Sequence, residues 1–337
     1  MLIAILVGVA LLAFAIAGLA AWSGPVDPPG PRRSHETPTP TSGGIAIMAA
    51  TGAGLAAAVH YGAYIDHRVG WLALLAAVTG LMGAADDLFD LPPRTKLLIQ
   101  IALALLFARV VARVTGLPLF PGLDLPLGLI VGAGGTALWF VVLTNAVNFV
   151  DGADGLAPGA VIIALVGVSA AGALNGQADL AATALIAAVA GVGFLPWNLP
   201  AHRLFQGDAG ALFSGVFLAG LAVLAADPAM GWPLSPYFVP FATLPILTDV
   251  LLTLLGRARA RSPLFSAHRE HLYQRWLDHS GGSHAALALR YWLITAVFTG
   301  AAVLNELAPM GWRPLAFAIA LVVAIVGWVR LRRRLPA

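Results

Sequence analysis

The sequence predicts an all-α integral membrane protein, a polytopic bundle of about 11 transmembrane helices with its polar loops gathered on one face. Three observations predict it. The chain is 59% hydrophobic and only 10% charged, against roughly 25% charged residues in soluble domains. Its mean hydropathy is +0.87. Its apolar runs are long: about 20 residues rising ~1.5 Å each cover a ~30 Å hydrocarbon core. Backbone in lipid must satisfy its own hydrogen bonds, so such runs read as helices. They do not alternate in polarity, which excludes a β-barrel.

The expected spans lie near 2–22, 44–62, 69–85, 97–114, 128–148, 157–174, 178–196, 210–226, 236–256, 285–305 and 313–330. The first run has no basic leader and no cleavage site, so it reads as a span rather than a signal peptide. The Pro-rich stretch 25–40 reads as a loop, because repeated proline prevents a helix. No soluble domain, repeat or low-complexity tract interrupts the pattern, so residues 1–337 read as one polytopic membrane domain. Cysteine is absent, which excludes disulfides and thiolate metal sites.

The connections alternate between two sides. One side holds 23–43, 86–96, 149–156, 197–209, 257–284 and the tail 331–337. Assigned to the nearer face, 15 of the 19 basic residues fall there; Arg68, Arg109, Arg113 and Arg313 fall on the other. Positive charge marks the cytoplasmic side, which puts the N-terminus outside and the C-terminus inside. Nothing in this distribution calls for a nucleic-acid partner. The cytoplasmic side also carries nearly every polar cluster, and a bundle that only packs has no reason to collect its carboxylates on one face.

The first cluster is Asp86-Asp87 with Asp90, Arg94 and Lys96. Adjacent carboxylates repel unless a positive group lies beside them. Mg²⁺, which takes one or two carboxylates plus substrate phosphates, is one answer; a solvated helix end is another. Lys96 is the only lysine among the 19 basic residues, and its compact ammonium suits a phosphate.

The second cluster runs from Asn145 through Asn148, Asp151 and Asp154 to Gly155. Spacing of three puts Asn145 and Asn148 on roughly one side of a helix, facing one cavity. Gly152 and Gly155 let the backbone bend close to a ligand. Membrane asparagines can also be plain interhelical glue, but Asn, Asn, Asp, Asp at even spacing argues against it here.

The third cluster is Trp197-Asn198 followed by Phe205, Gly207-Asp208 and Gly210. A Gly-Asp-x-Gly helix start can offer N–H groups to anions and a carboxylate to a cation; Asp208 as a simple N-cap is the alternative. The fourth is the loop 257–284, with Arg257, Arg259 and Arg261, then His268, Arg269 and His271. The arginines suit anionic lipid, and the later residues suit phosphate or sugar. A third nitrogen ligand for zinc is lacking there. Asp249, inside the ninth span, is a further functional candidate without an evident partner.

Together these clusters resemble, in order from Arg33 to Gln274, the polyprenyl-phosphate N-acetylhexosamine-1-phosphate transferases of the WecA and MraY type. Asp86-Asp87 with Lys96 and Gln100 resembles the family's Asp-Asp loop. Asn145 to Leu156 resembles its Asn-x-x-Asn-x-x-Asp-Gly-x-Asp-Gly-Leu loop, and Gly207 to Gly210 its Gly-Asp-x-Gly loop.

The resemblance implies Mg²⁺, with Mn²⁺ as a substitute, held by Asp208 with Asn148 or the Asp86-Asp87 pair, Asp87 in particular. It implies catalytic roles for Asp86, Asp87, Lys96, Asp151, Asp154 and His271, with Asp86 handling the lipid phosphate. It implies nucleotide-sugar contacts from Asn145, Asn148, Asn198, Phe205, His268 and Arg269, with Phe205 stacking on uracil. The implied partners are a UDP-N-acetylhexosamine, undecaprenyl phosphate and the lipid bilayer, with monomer and homodimer both open. The implied place is the bacterial inner (cytoplasmic) membrane, with the site facing the cytoplasm. Where WecA-type enzymes carry further histidines this chain has Tyr273 and Gln274, and His268 stands where an aspartate often does. That form is similar to the branch that starts O-antigen chains in lipopolysaccharide, whose donors include N-acetylfucosamine and N-acetylglucosamine.

The reaction so implied is phosphoryl transfer: a lipid phosphate oxygen attacks the β-phosphorus of the donor and UMP leaves. Direct attack and a two-step route through an aspartyl phosphate both fit. The rival from another class is a transporter or lipid-linked sugar flippase, which calls for mid-membrane polar groups and paired broken helices; here the polar groups sit at one interface.

Overall fold

The structure is a computed structural model that describes residues 1–27, 38–230, 234–263 and 269–335. Thirteen α-helices follow one another among the described residues: α1 (Leu2–Ser23), α2 (Gly43–His60), α3 (His67–Phe89), α4 (Pro93–Val110), α5 (Leu129–Val150), α6 (Leu156–Leu174), α7 (Ala178–Asn198), α8 (Gly207–Ala226), α9 (Phe238–Ala242), α10 (Leu244–Arg259), α11 (Leu272–His279), α12 (His284–Asn305) and α13 (Arg313–Arg334). Two short antiparallel pairs complete the fold: β1 (Val26–Asp27) with β2 (Thr39–Pro40), and β3 (Gly116–Phe120) with β4 (Leu123–Pro126).

The chain is therefore a multi-pass, all-α membrane protein. Nine of the described helices are long and apolar enough to cross a bilayer. The other two expected spans fall on α4 and on α9–α10. Helix α4 carries Arg94 and Lys96 in its first turn and Arg109 in its last, so composition alone does not mark it as a span. The run near 236–256 is split at Thr243, whose hydroxyl donates to the Val239 carbonyl at 2.7 Å, and Pro245 opens the next helix.

Helix α8 is the hub. Its apolar window is 89% buried, against 22% for α1 and 6% for α13. Its many Gly and Ala residues leave no bulk to hold neighbours away, and α2, α3 and α5 press against it. Backbone approaches most closely at its N-terminal end. A Cβ on Gly44 of α2 would overlap the Gly210 backbone, and one on Gly83 of α3 would overlap the Asp208 carbonyl. The segment entering α8 is stitched to the start of α2: Phe205 N–H donates to the Pro40 carbonyl at 2.8 Å, and Gly43 and Gly44 N–H donate to Phe205 and Gln206 carbonyls at 2.9 and 2.8 Å. Asp208 thus follows directly on a stitched segment, with its carbonyl against the α3 backbone. Arg33 and His35 lie outside the described residues.

Candidate active site

A cavity of about 770 Å³ opens where the loops expected on the cytoplasmic side meet. Its walls come from Pro25, Val26 and Thr41 and from 86–90, 148–154, 198–208 and 269–277. These segments are far apart in sequence, so the clusters read one by one are here a single site.

The acidic centre forms where the C-terminal turn of α3 meets the N-terminus of α8. Consecutive helical residues point about 100° apart, so Asp86 and Asp87 diverge. Asp86 pairs with the Lys96 ammonium through Oδ2, and its Oδ1 accepts the Leu91 N–H at 2.7 Å. Asp87 turns to α8, accepting the Asp208 N–H at 3.0 Å and the Ala209 N–H at 3.3 Å. The expected repulsion between the two carboxylates is therefore relieved in part by one ammonium and one helix N-terminus. The cap considered as the alternative role of Asp208 is supplied by Asp87, from another helix. Gly207, at φ +66°, makes the turn, and a side chain there would strike the Thr41 carbonyl and Asp87.

Released from capping, the Asp208 carboxylate points into the cavity. Its Oδ1 accepts from Asn148 Nδ2 at 2.8 Å, and its Oδ2 lies 3.5 Å from Lys96 Nζ. Asp208, Asp86 and Asn148 make a donor set rich in oxygen, which fits a hard cation such as Mg²⁺.

Asn145 and Asn148 do not share the cavity as expected. Asn145 lies one turn deeper and donates to Gln100 Oε1 at 2.6 Å and to the Val141 carbonyl at 2.8 Å, tying α5 to α4. The small angular offset between i and i+3 suffices to point one amide at a neighbouring helix and the other at Asp208. Asp151 lies at the head of the next loop. Enclosure drives its carboxyl well above the usual carboxylate range; nearby Asp208, Asp154 and Asp87 push the same way, against the Gln206 amide.

Residues 152–155 form a tightly bonded turn. Gly155, at φ +73°, donates its N–H to Asn198 Oδ1 at 2.5 Å and accepts from the Trp292 indole at 2.8 Å. Asn198 also donates to the Leu204 carbonyl at 3.0 Å. Its amide therefore sets the turn while the residue lines the wall. Asp154 Oδ2 contacts His202 Nδ1 and lies 3.0 Å from His284 Nδ1, which also accepts the Asp154 N–H at 3.1 Å. The ligand atoms of these three residues fall within 4.8 Å of one another. Two imidazoles and one carboxylate can hold a divalent transition metal and suit Mg²⁺ poorly. Neither histidine stood out in the sequence: each is isolated, and only folding brings both to Asp154.

The last wall is 269–277. Arg269 lines the cavity and pairs with Asp278 at 3.1 Å. Gln274 and Leu277 line it too, a role the sequence did not mark. His271 is 4% exposed and N-caps α11, with its ring 6.0 Å from Phe149 and 5.9 Å from Tyr273. It sits behind the wall rather than on it. Phe205 also lines the cavity. His268 lies outside the described residues.

Comparison with known proteins decides the family. Residues 69–226 match the model of glycosyl transferase family 4. A decaprenyl-phosphate N-acetylglucosaminephosphotransferase of Mycobacterium tuberculosis is 31% identical, over 82% of this chain and 74% of the relative. The chain belongs to glycosyl transferase family 4. It is also 28% identical to a probable undecaprenyl-phosphate N-acetylglucosaminyl 1-phosphate transferase of Bacillus subtilis, over 90% of this chain and 84% of the relative. A phospho-N-acetylmuramoyl-pentapeptide-transferase of Mycobacterium avium is 29% identical, over 80% and 85%. The family-4 match spans α3 to α8, the helices that carry the acidic centre and the 148–155 turn.

Proposed function

We propose that the protein transfers an N-acetylhexosamine-1-phosphate from a UDP-sugar to undecaprenyl phosphate at the cytoplasmic face of a bacterial inner membrane, releasing UMP. The observation that carries this reading is the Asp208 carboxylate, fixed by backbone and aimed into a cavity that also holds Asp86, Lys96 and Asn148. Such a centre suits a reaction in which several phosphate charges must meet, because positioning and charge neutralisation supply most of the catalysis. Mg²⁺, or Mn²⁺ in its place, held at Asp208 with Asp86 and Asn148, would offset charge on the donor diphosphate. Lys96 adds a fixed positive charge beside the same carboxylates.

Both Asp86 oxygens are engaged, by Lys96 and by Leu91 N–H. That makes Asp86 a poor proton acceptor. A lipid phosphate is already ionised near neutral pH, so direct attack on the β-phosphorus needs no strong base. Phe205, Arg269 and the Asp151–Asp154 segment line the walls available to the nucleotide and sugar. The names of the relatives favour N-acetylglucosamine as the first donor to try; the His271-Leu-Tyr-Gln form keeps N-acetylfucosamine and O-antigen initiation in the panel.

The test is UMP release from purified protein with Mg²⁺, undecaprenyl phosphate and a panel of UDP-N-acetylhexosamines. Release with one donor supports the reading and names the sugar. Release of UDP, or none from monodisperse protein, overturns it.

A further inference from the structure

Asp249 takes no part in the site above, yet it is buried to 2% exposure in the N-terminal half of α10. A carboxylate in a membrane bundle needs donors, and the structure supplies four. Oδ1 accepts the Leu272 N–H at 2.7 Å, the Trp328 indole at 3.3 Å and the Thr253 hydroxyl at 3.4 Å; Oδ2 accepts the Tyr273 N–H at 3.1 Å. Leu272 and Tyr273 are the first two residues of α11. The opening N–H groups of a helix have no partner within it, and here a carboxylate from α10 takes two of them.

The contacts continue from α11 to the cavity. The Tyr273 hydroxyl donates to the Phe149 carbonyl at 3.1 Å and lies where a Cβ on Gly152 would stand. The His271 ring packs beside both Phe149 and Tyr273. Gln274, on the wall, accepts the His271 N–H at 3.2 Å through Oε1. One continuous set of bonds runs from Asp249 through the start of α11 to the 149–152 segment.

We propose that Asp249 is a positioning residue for the donor side of the cavity: by fixing the N-terminus of α11 it holds Tyr273, His271 and Gln274 against the 149–152 segment. This rests on the reading of that cavity as the UDP-sugar site. Asp249 itself touches no substrate. Its removal loosens the wall that contacts the donor and leaves the acidic centre at α3 and α8 in place.

The experiment measures steady-state transfer with Asp249→Asn, Tyr273→Phe and the double variant, each as monodisperse full-length protein. KM is determined separately for the UDP-sugar and for undecaprenyl phosphate, and melting temperature is recorded alongside. Asp249→Asn is expected to raise the donor KM about tenfold with the acceptor KM within about twofold of wild type. Tyr273→Phe, a milder change that keeps the ring, is expected to move the donor KM in the same direction. The double variant should be no worse than the poorer single one, because both act through one set of bonds. A purely structural role would lower the melting temperature and the active fraction with both KM values unchanged. That result, or multiplicative effects in the double variant, overturns the proposal. Absence of transfer by the wild-type protein would instead strike the donor-site reading.

Discussion

The Asp87 carboxylate caps the helix that presents Asp208: its oxygens accept the Asp208 and Ala209 N–H groups at 3.0 and 3.3 Å. Asp87→Ala is therefore expected to lower stability by about 1 kcal/mol, the usual loss for a helix cap, and to reduce transfer because Asp208 loses its fixed orientation. Asp87→Asn keeps an acceptor and should recover most of the stability. Thermal unfolding in detergent with parallel rate measurements checks this. Equal melting of Asp87→Ala and wild type would show that the cap contributes nothing.

Asp208→Asn should lower kcat by at least about 10²-fold, the scale of losing one fixed electrostatic group at a reacting centre. Melting temperature should stay near that of wild type, since Asp208 makes no cap of its own. Near-normal rates in this variant would remove Asp208 from the metal group.

Lys96 stands between the Asp86 and Asp208 carboxylates. Lys96→Met removes the only ammonium side chain in the chain. Transfer should fall by about 10²-fold, while Mn²⁺ binding, followed by electron paramagnetic resonance, should tighten because the two carboxylates lose a competing cation. Weaker Mn²⁺ binding would mean that Lys96 helps build the cation site.

The raised Asp151 carboxyl gives a pH dependence. Its folded-state pKa lies above the unfolded value, so its contribution to stability is complete below the unfolded pKa and is lost as pH rises through the folded one. Protein stripped with EDTA should accordingly melt lower as pH rises through and above the carboxylate range. Asp151→Asn should flatten that slope. An unchanged slope in the variant would assign the dependence to another group.

Asn145 bonds Gln100 between α5 and α4. Asn145→Ala should cost about 1 kcal/mol of stability, the scale of such a bond in a membrane bundle, with donor KM unaltered. A large rise in donor KM would return Asn145 to the nucleotide side.

How much of this was legible in the sequence depends on the range of the interaction. The spans were legible because hydropathy is a local sum, and their detail was not where local sums mislead: at charged α4 and at the break on Thr243. The polar clusters were legible because their residue types are rare in apolar surroundings. Their division of labour was not. Nothing in Asp86-Asp87 tells which carboxylate meets Lys96 and which meets α8. The three-residue spacing of Asn145 and Asn148 says nothing of Gln100 in the next helix. His202 and His284 carry no pattern at all, and the partners of Asp249 lie on α11 and α13. Each of these is a pairing across the bundle, fixed by tertiary packing alone.

The cavity walls draw on the chain from Pro25 to Leu277. Membrane proteins are threaded into the bilayer from one end during synthesis, so a nascent chain that has inserted α1 to α8 already owns the acidic centre but lacks the wall supplied by α11. Under the proposed function, the donor side of the cavity is completed only when α11 emerges, so a polypeptide truncated before α11 is expected to keep the acidic centre and to lose transfer.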